Sequence, residues 1–510
     1  MTIGRTTAVA LLGLDGSIVQ IEAALGTQTP GVKLIGLPDS ALREAEHRVR
    51  AGITHSGLEF PARHVTVNLS PAELPKQGAG FDLAIAMVTL VAEGTVPAES
   101  VAATAHLGEL ALDGRLRPMR GVLPAVLAAA RAGVATVIVP HANADEASLV
   151  PDIRVVGMAS LRDAAIWHGA PLDELPVEPI PAVSAPGRRE EHGDLADVIG
   201  NEEAIEALIA AAAGGHHLYM VGPPGAGKTM LASRLPSILP PLDEHAALEV
   251  ASMRSLSGIE VGAELSPVPP FESPHHQASA VAMIGGGSSV IRPGAAARAA
   301  HGVLFLDEAP EFSARALDTL RQPLESGRIS VERVAAVAHF PGRFQLVLAA
   351  NPCPCGKYGT KDALCTCAPI ARDRYLRRIS GPLLDRVDIQ LMVPPVTAAQ
   401  LRMQKKRPHT TSAAARDRVL AARDRAARRL AGTGWRTNSE VPGSALRGSA
   451  MQLDPSAAEP LDRAIGRGTL TMRGYDRTLR LAWTLADLDG VDRPGLAQVG
   501  RALSLRRGAA

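Results

Sequence analysis

The chain has 510 residues, of which 46% are hydrophobic and 21% are charged, and its formal net charge is +1. At roughly 150 residues per domain, this length predicts about three domains of an ordinary globular protein. The aromatic content of 3% argues against base stacking on aromatic side chains as the main binding mode, and the total charge by itself argues against a nucleic-acid partner.

The total charge conceals an asymmetry along the chain. Residues 401–510 carry 21 Lys and Arg against 10 Asp and Glu, a charge of +11, so residues 1–400 sum to −10. All four cysteines fall between Cys353 and Cys367, which excludes a spread disulfide framework and predicts a cytoplasmic chain with one thiol site. The sequence lacks both a signal peptide and an apolar run of the roughly 20 residues that cross a bilayer, so no membrane partner is expected.

Residues 1–170 are predicted to form a first α/β domain. Short β-rich runs at His64–Leu69 and Thr136–Pro140 alternate with Ala-rich helical stretches such as Pro124–Ala132. Residues 171–193 contain five prolines and the charged run Arg188–Glu191. This composition predicts an exposed, semi-rigid linker.

Residues 194–400 again alternate strands and helices and carry a nucleotide-binding motif. The motif has the form GxxxxGK[ST] and consists of Gly222, Pro223, Pro224, Gly225, Ala226, Gly227, Lys228 and Thr229. An apolar run, Leu218–Val221, precedes it and a helix-competent stretch, Met230–Leu235, follows it, which is the strand–loop–helix context of a P-loop. The glycines let backbone N–H groups surround phosphates, Lys228 reaches the β- and γ-phosphates, and Thr229 holds Mg²⁺. ATP and Mg²⁺ are therefore the expected cofactors.

A buried-strand pattern at Val303–Leu306 ends in two carboxylates, Asp307 and Glu308. After a strand, such a pair can be a simple acidic helix cap. Downstream of a complete P-loop it predicts that Asp307 binds Mg²⁺ through water and that Glu308 polarises the attacking water.

Two further polar positions are tied to predicted strands. Asn351 ends the run Phe344–Ala350, where a polar side chain can contact the γ-phosphate or the water. Arg386 precedes the strand Ile389–Val393, and two interpretations of it stay open at this point. It is either a finger that reaches the γ-phosphate of a neighbouring subunit, or one half of a surface salt bridge with Asp385 or Asp388.

The cysteines form the pattern C-x-C, nine residues, C-x-C, made by Cys353, Cys355, Cys365 and Cys367. Four thiolates this close predict a closed, structural Zn²⁺ site, with a redox pair or plain reduced thiols as the alternatives. The cluster comes directly after Asn351 and is expected to fix that loop. The pair His275-His276 lacks a nearby third ligand and is interpreted as loop residues that contact a subunit or substrate.

Residues 401–510 are predicted to be a helical domain, with helical spacing over Ala413–Leu430 and Gly474–Leu488. Its charge of +11 and the basic patch Lys405–Arg407 suit contacts with DNA phosphates. An arginine-rich, solvated helix face explains the same composition equally well.

The motifs together resemble those of AAA+ ATPases of the magnesium-chelatase-like clade. Within that clade, the segments Ala349–Gly356, Ser273–His276 and Asp194–Gly215 are similar to the ComM/YifB group, and the similarity extends over nearly the whole chain. The resemblance implies an AAA+ P-loop parallel sheet with a helical C-terminal lid, a homohexameric ring, and an arginine finger at Arg386. It also implies a sensor arginine on the lid, best matched by Arg473, with Arg477 and Arg480 as alternatives.

The resemblance also implies that the segment Glu325–Phe344 forms a β-hairpin of the kind that lines the central pore of related motors. Two departures put such contacts in doubt. Glu272 stands where the family usually has arginine, and the stretch Pro293–Ala300, which includes Arg298, is less polar than in the family.

Residues 33–140 resemble the α/β domain that carries the peptidase site in Lon proteases, a fold shared with a ribosomal protein. The similar segments are Leu37–Ser40, His64–Leu69, Leu74–Asp82 and Leu107–Gly114. Lon-type peptidases use a serine nucleophile and a lysine base. Gly80 stands at the serine position and Gly121–Val126 contains no lysine, so the domain is predicted to be non-proteolytic, with Lys76 as a surface charge.

For function, the resemblance implies an ATP-driven motor on branched or single-stranded DNA, a branch-migration helicase in homologous recombination or transformation. Two alternatives belong to other classes. One is a chelatase-type ATPase that remodels a metal-inserting partner, and the other is a protein-remodelling ATPase.

Overall fold

The computed structural model describes most of the chain. The described residues are 3–36, 44–74, 76, 78–182, 193–287, 291–333, 336–359, 364–397, 400, 402 and 409–507. Three features singled out above, Leu37–Ser40, Arg188–Glu191 and Lys405–Arg407, lie outside them.

The N-terminal part forms a mixed sheet of seven strands in the order β3-β4-β2-β1-β5-β8-β9, with a small β6-β7 hairpin. The strands are β1 (Gly4–Leu12), β2 (Asp15–Gly26), β3 (Gly31–Ile35), β4 (His64–Ser70), β5 (Thr104–His106), β6 (Glu109–Leu110), β7 (Leu116–Arg117), β8 (Thr136–Pro140) and β9 (Arg154–Met158). The helices are α1 (Ala45–His55), α2 (Asp82–Glu93), α3 (Ala98–Ala102), α4 (Val122–Arg131), α5 (Ala144–Ala147) and α6 (Leu161–Trp167). The α/β prediction is confirmed, and the strand predicted at Thr136–Pro140 has those bounds.

The central part is built on a five-stranded sheet in the order β11-β14-β17-β10-β18, with all neighbouring strands parallel. The strands are β10 (Leu218–Val221), β11 (Phe271–Glu272), β12 (Gly285–Gly286), β13 (Arg292–Pro293), β14 (Val303–Leu306), β15 (Arg328–Arg333), β16 (Ala336–Pro341), β17 (Gln345–Ala350) and β18 (Ile389–Met392). The helices are α7 (Glu202–Gly214), α8 (Lys228–Ile238), α9 (Glu244–Ser257), α10 (Ala280–Ile284), α11 (Ala295–Arg298), α12 (Ala314–Asp318), α13 (Arg321–Ser326), α14 (Pro369–Leu376) and α15 (Gly381–Leu384). The predicted hairpin exists as the antiparallel pair β15 and β16.

The strands of the five-stranded sheet read as apolar runs because helices cover both faces. Every residue of β10, β14 and β17 is buried, as expected for central parallel strands. Val221 at the end of β10 pairs with Ala350 of β17, and Leu306 at the end of β14 pairs with Leu348. The carboxyl ends of these strands therefore share one edge, which is where open parallel sheets bind ligands.

The C-terminal part is helical, as predicted, with α16 (Ser412–Arg429), α17 (Gly443–Leu446), α18 (Pro455–Gly466), α19 (Met472–Asp489) and α20 (Leu496–Arg507). Its apolar side chains share one hydrophobic cluster with helix α7 and strands of the five-stranded sheet. The six arginines of α16 all have partners within the chain: Arg416, Arg418, Arg423, Arg425, Arg428 and Arg429. Five of them bind groups on other elements, but Arg416, Arg418 and Arg428 are also exposed, so this helix combines internal ion pairs with a partly solvated face.

The N-terminal part touches the central part at two places. Helix α9 contributes Ala251 to the N-terminal hydrophobic cluster, and the Ser255 carbonyl accepts a hydrogen bond from Gly121 N at 3.1 Å. Strand β16 makes a single bridge to Gly13 through His339. No helix in the described part of the chain combines the length and hydropathy that a membrane span needs.

Candidate functional site

The phosphate-binding loop begins at Gly222, directly after β10. An added Cβ at Gly222 would lie 2.3 Å from the backbone oxygen of Val393, so a side chain there would force the loop away from β18. Gly227 has a φ of 90°, in the left-handed region that glycine alone adopts readily, and α8 starts at the next residue. The first N–H groups of α8 lack intrahelical partners and face the loop, an arrangement that binds phosphate.

The Lys228 side chain is buried and folds back over the loop. Its Nζ donates to the carbonyl oxygens of Gly222 at 2.6 Å and Pro223 at 3.1 Å, and to Asn351 Oδ1 at 3.3 Å. Burial lowers the pKa of Lys228, and the nearby carboxylates oppose that shift. The structure thus brings Lys228 and Asn351 together from adjacent strands, with the ammonium group held by neutral oxygens that a phosphate can replace.

Thr229 and Asp307 meet across the edge of the sheet. Thr229 Oγ1 donates to Asp307 Oδ2 at 2.6 Å, and the other carboxylate oxygen accepts from Glu308 N at 2.9 Å. Thr229 and Asp307 are the residues that would hold Mg²⁺, Thr229 by its hydroxyl and Asp307 through water, and the ion would supply positive charge to bound phosphates.

Glu308 has a half-exposed side chain and a left-handed backbone, with φ of 52°. Its Oε2 lies 3.6 Å from His276 Nδ1. This pairing was not predicted from the sequence. The available signal was strand order, because β11 lies beside β14 and the segments that follow the two strands therefore emerge together. Among the described residues, His275 and His276 belong to no group of three or more metal-ligating side chains.

Glu272, the first departure from the family pattern, forms an ion pair with Arg298 in the stretch Pro293–Ala300. Arg298 Nε donates to Glu272 Oε1 at 3.1 Å, and Arg298 Nη2 donates to Oε2 at 2.8 Å. This is the bidentate geometry that guanidinium and carboxylate groups favour. The glutamate is therefore matched by an arginine within the same chain.

Arg386 is mostly buried and pairs with Glu325, next to the β15–β16 hairpin, and with the Pro382 carbonyl. Its Nε has no hydrogen-bond partner among the described residues. Burial, followed by repulsion from nearby arginines, lowers the pKa of Arg386. The predicted alternative, a salt bridge between Arg386 and Asp385 or Asp388, is wrong. Those aspartates pair with Arg473 and Arg477 instead.

The three candidate lid arginines differ in their surroundings. Arg477 donates to buried Asp388 at 2.6 Å, and Arg480 donates to a backbone carbonyl within the helical part. Arg473 is 76% exposed, and its one side-chain partner in the described part of the chain is Asp385, at 3.5 Å. Of the three, Arg473 has the weakest internal contact, so it stays the predicted sensor arginine.

Asp388 joins the start of β18 to the lid. Its carboxylate binds Arg477 and, at 3.0 Å, His216 Nδ1, while His216 Nε2 contacts Thr484 Oγ1 at 2.7 Å. Burial alone would raise the pKa of Asp388, but Arg477 and His216 hold it well below its usual range. A charged Asp388 therefore links the segment that follows Arg386 to helix α19.

The four cysteine Sγ atoms lie within 4.8 Å of one another. Cys353 is 3.4 Å from Cys355 and 3.7 Å from Cys365, and the Cys355–Cys365 distance is also 3.7 Å. Sulfur atoms at the corners of a Zn–S₄ tetrahedron with bonds of about 2.3 Å are roughly 3.8 Å apart. The donor set fits a tetrahedral thiolate site.

In the N-terminal part, the expectation for Lys76 is wrong. Its side chain is buried and donates to the Pro71 carbonyl, and burial lowers its pKa. An added Cβ at Gly80 would lie 2.6 Å from Met119 Cε, so a serine there would displace that side chain. The segment Gly121–Val126 forms the start of α4 and carries no lysine.

A P-loop and a carboxylate pair on the edge of this parallel sheet, under a helical lid, define an AAA+ P-loop ATPase. The family described as "Magnesium chelatase, subunit ChlI" matches residues 194–401. Two related families match as well, "Subunit ChlI of Mg-chelatase" over residues 19–143 and "Magnesium chelatase, subunit ChlI C-terminal" over residues 409–506. The chain belongs to the magnesium-chelatase-like ATPases of the ComM type.

Similar proteins cover the chain from end to end. An uncharacterized protein of Mycobacterium tuberculosis is 48% identical over 510 residues, with 99% of both chains covered. The competence protein ComM of Haemophilus influenzae is 39% identical over 503 residues, covering 98% of this chain and 97% of that protein. A Lon protease of Mycolicibacterium smegmatis is 32% identical over 221 residues, or 41% of this chain and 24% of the protease.

Proposed function

We propose that the protein is an ATP-driven motor that assembles as a homohexameric ring and acts on branched or single-stranded DNA in the cytoplasm. Its reaction would be branch migration, a helicase activity that serves homologous recombination or transformation. The observation that carries the proposal is 39% identity, over nearly the full length, with a protein named for competence.

The β15–β16 hairpin supports a motor that grips a strand in a central pore. Arg328 at the start of β15 and Arg343 just after β16 are both exposed, close to the base of the hairpin. Because the arginines of α16 bind the protein itself, these hairpin residues are the better candidates for phosphate contacts. Contacts of this kind weaken as salt displaces them, since binding releases counterions from the nucleic acid.

We expect a four-way DNA junction to stimulate ATP hydrolysis several-fold, and we expect that stimulation to fall steeply between 50 and 200 mM salt. The measurement is steady-state ATPase activity with junction DNA, single-stranded DNA, duplex DNA or unfolded casein. Casein should neither stimulate hydrolysis nor be degraded. Stimulation by no form of DNA would contradict the proposal, and ATP-dependent casein degradation that Gly80 replacement abolishes would contradict a non-proteolytic N-terminal part.

A second candidate is a chelatase-type ATPase that remodels a metal-inserting partner. The names of the matching families favour it. Stimulation of hydrolysis by such a partner, combined with indifference to all DNA forms, would select this function.

We further propose that Cys353, Cys355, Cys365 and Cys367 hold one structural Zn²⁺ per chain. Four thiolates leave no open ligand position, so the ion would supply a rigid cross-link rather than chemistry on substrate. Its place is directly after Asn351, between the phosphate-binding loop and the segment that leads to Arg386.

Purified protein is expected to contain about one Zn²⁺ per chain, because the closed Cys₄ site binds the ion tightly. Elemental analysis of the metal-buffered protein measures this content. Cys365→Ser removes one ligand and should lower the content severalfold. A metal-free wild-type protein whose four thiols all titrate as free would contradict the zinc proposal.

A further inference from the structure

The cysteine loop packs directly on the phosphate-binding loop. Gly356, between the two cysteine pairs, has a φ of 74°, and an added Cβ would lie 2.8 Å from both Cγ and Cδ of Pro224. The backbone of Gly356 in the cysteine loop therefore lies against the ring of Pro224 in the phosphate-binding loop. Pro224 is otherwise exposed, so the cysteine loop supplies the packing contact for its ring.

The same short segment also positions a second residue of the ATP site. Asn351, whose Oδ1 contacts Lys228 Nζ, lies two residues before Cys353. The Cys353 carbonyl accepts a hydrogen bond from Gly356 N at 2.9 Å, which closes a tight turn. The turn thus fixes the position of Asn351 relative to the contact on Pro224.

Apart from the thiols, few described contacts hold this turn, one of them being the Arg372 guanidinium, which lies 3.9 Å from the centre of the Tyr358 ring. The described residues 353–359 and 364–368 include no helix or strand, and within them Cys353 and Gly356 are the buried positions. Leu364 is 92% exposed, so apolar packing contributes little there. A cross-link among the four cysteines is then the main constraint on the loop.

We infer that the four-cysteine loop is a metal-dependent brace for the phosphate-binding loop, an inference that rests on the proposed zinc site. With the ion bound, the loop supports Pro224 and aligns Asn351 with Lys228, so the P-loop is preorganised for ATP. Without the ion, the loop relaxes and affinity for ATP falls.

Two alanine variants in the same loop distinguish loss of the contact with Pro224 from the backbone strain that alanine causes at a left-handed position. Gly356→Ala should weaken ATP binding about tenfold, since displacements near 1 Å in such sites are costly. Gly359→Ala is the matched control, because it has a similar φ of 80° but, among the described residues, no atom within 4 Å of the added Cβ. Binding is measured with a fluorescent ATP analogue at saturating Mg²⁺, with zinc content and the unfolding temperature measured in parallel.

A second experiment removes the zinc ion and leaves both residues of the Gly356–Pro224 contact unchanged. Cys365→Ser should lose zinc and show the same fall in affinity for the analogue as Gly356→Ala. Zinc loss with unchanged affinity overturns the brace while leaving the zinc site intact. Equal effects of Gly356→Ala and Gly359→Ala also overturn it, and a metal-free wild-type protein refutes both the metal dependence and the zinc proposal.

Discussion

Replacing Glu308 by glutamine is expected to reduce ATP hydrolysis by at least about 100-fold while leaving ATP binding nearly unchanged. Glu308 is the half-exposed carboxylate that follows Asp307, which we propose binds Mg²⁺ together with Thr229, and its side chain pairs with His276. Glutamine keeps the shape of the side chain but cannot accept a proton from water. The ATP-bound ring should therefore accumulate, which sedimentation or light scattering with ATP will detect.

Glu311→Gln is the matched control for this change. It removes the same charge three residues further along, where the carboxylate pairs with Arg378 at 3.1 Å. Hydrolysis by this variant should stay close to that of the wild type. Comparable turnover by Glu308→Gln and the wild-type protein would refute the role proposed for Glu308.

The parts of this site that could be predicted from the sequence are those whose residues are close together along the chain. The P-loop was predictable because its glycines, lysine and threonine occupy eight consecutive residues between a strand and a helix. The strands that end at Asp307 and Asn351 were predictable because central parallel strands are buried on both faces. Their convergence followed from the shared edge of the sheet.

The unforeseen contacts join residues that are distant in sequence. Glu272 looked anomalous alone, and its pairing with Arg298 depends on how α11 packs beside β11. His276 approaches Glu308 because of strand order, which no local pattern encodes. The internal partners of the α16 arginines were not predictable, because periodicity identifies the helix but not which groups of α7, α8 and α19 surround it.

Lys76 illustrates the same limit in the N-terminal part. A lysine in a polar, glycine-rich segment is usually exposed, since burying its charge is costly. In the structure the side chain is covered and donates to the Pro71 carbonyl. That covering is a property of the folded segment and not of its composition.

Arg386→Ala is expected to reduce ATP hydrolysis by about 1,000-fold or more, because an arginine finger stabilises charge on the transferring phosphoryl group. Within one chain, Arg386 is held by Glu325 and the Pro382 carbonyl. In a ring, the guanidinium would leave Glu325 for the γ-phosphate of the adjacent subunit. Affinity for ATP should change much less than turnover.

Mixing variants tests whether Arg386 acts in trans. Lys228→Ala and Arg386→Ala should each be inactive alone, since one lacks the P-loop lysine and the other the finger. In an equal random mixture, about a quarter of the interfaces combine an intact Lys228 with an intact neighbouring Arg386. ATPase activity should therefore reappear on mixing, and a mixture that stays inactive would contradict a role in trans.

The variant Glu325→Gln distinguishes a structural role for Arg386 from a role as a finger, because the two roles predict opposite effects on ATP hydrolysis. If the arginine served only to neutralise Glu325, then Glu325→Gln would lower activity and the unfolding temperature as Arg386→Ala does. If Glu325 restrains a finger, Glu325→Gln frees the guanidinium, and hydrolysis should be preserved or raised. Arg321→Ala, which removes a nearby exposed arginine, controls for the change in local charge, and its turnover should match that of the wild type.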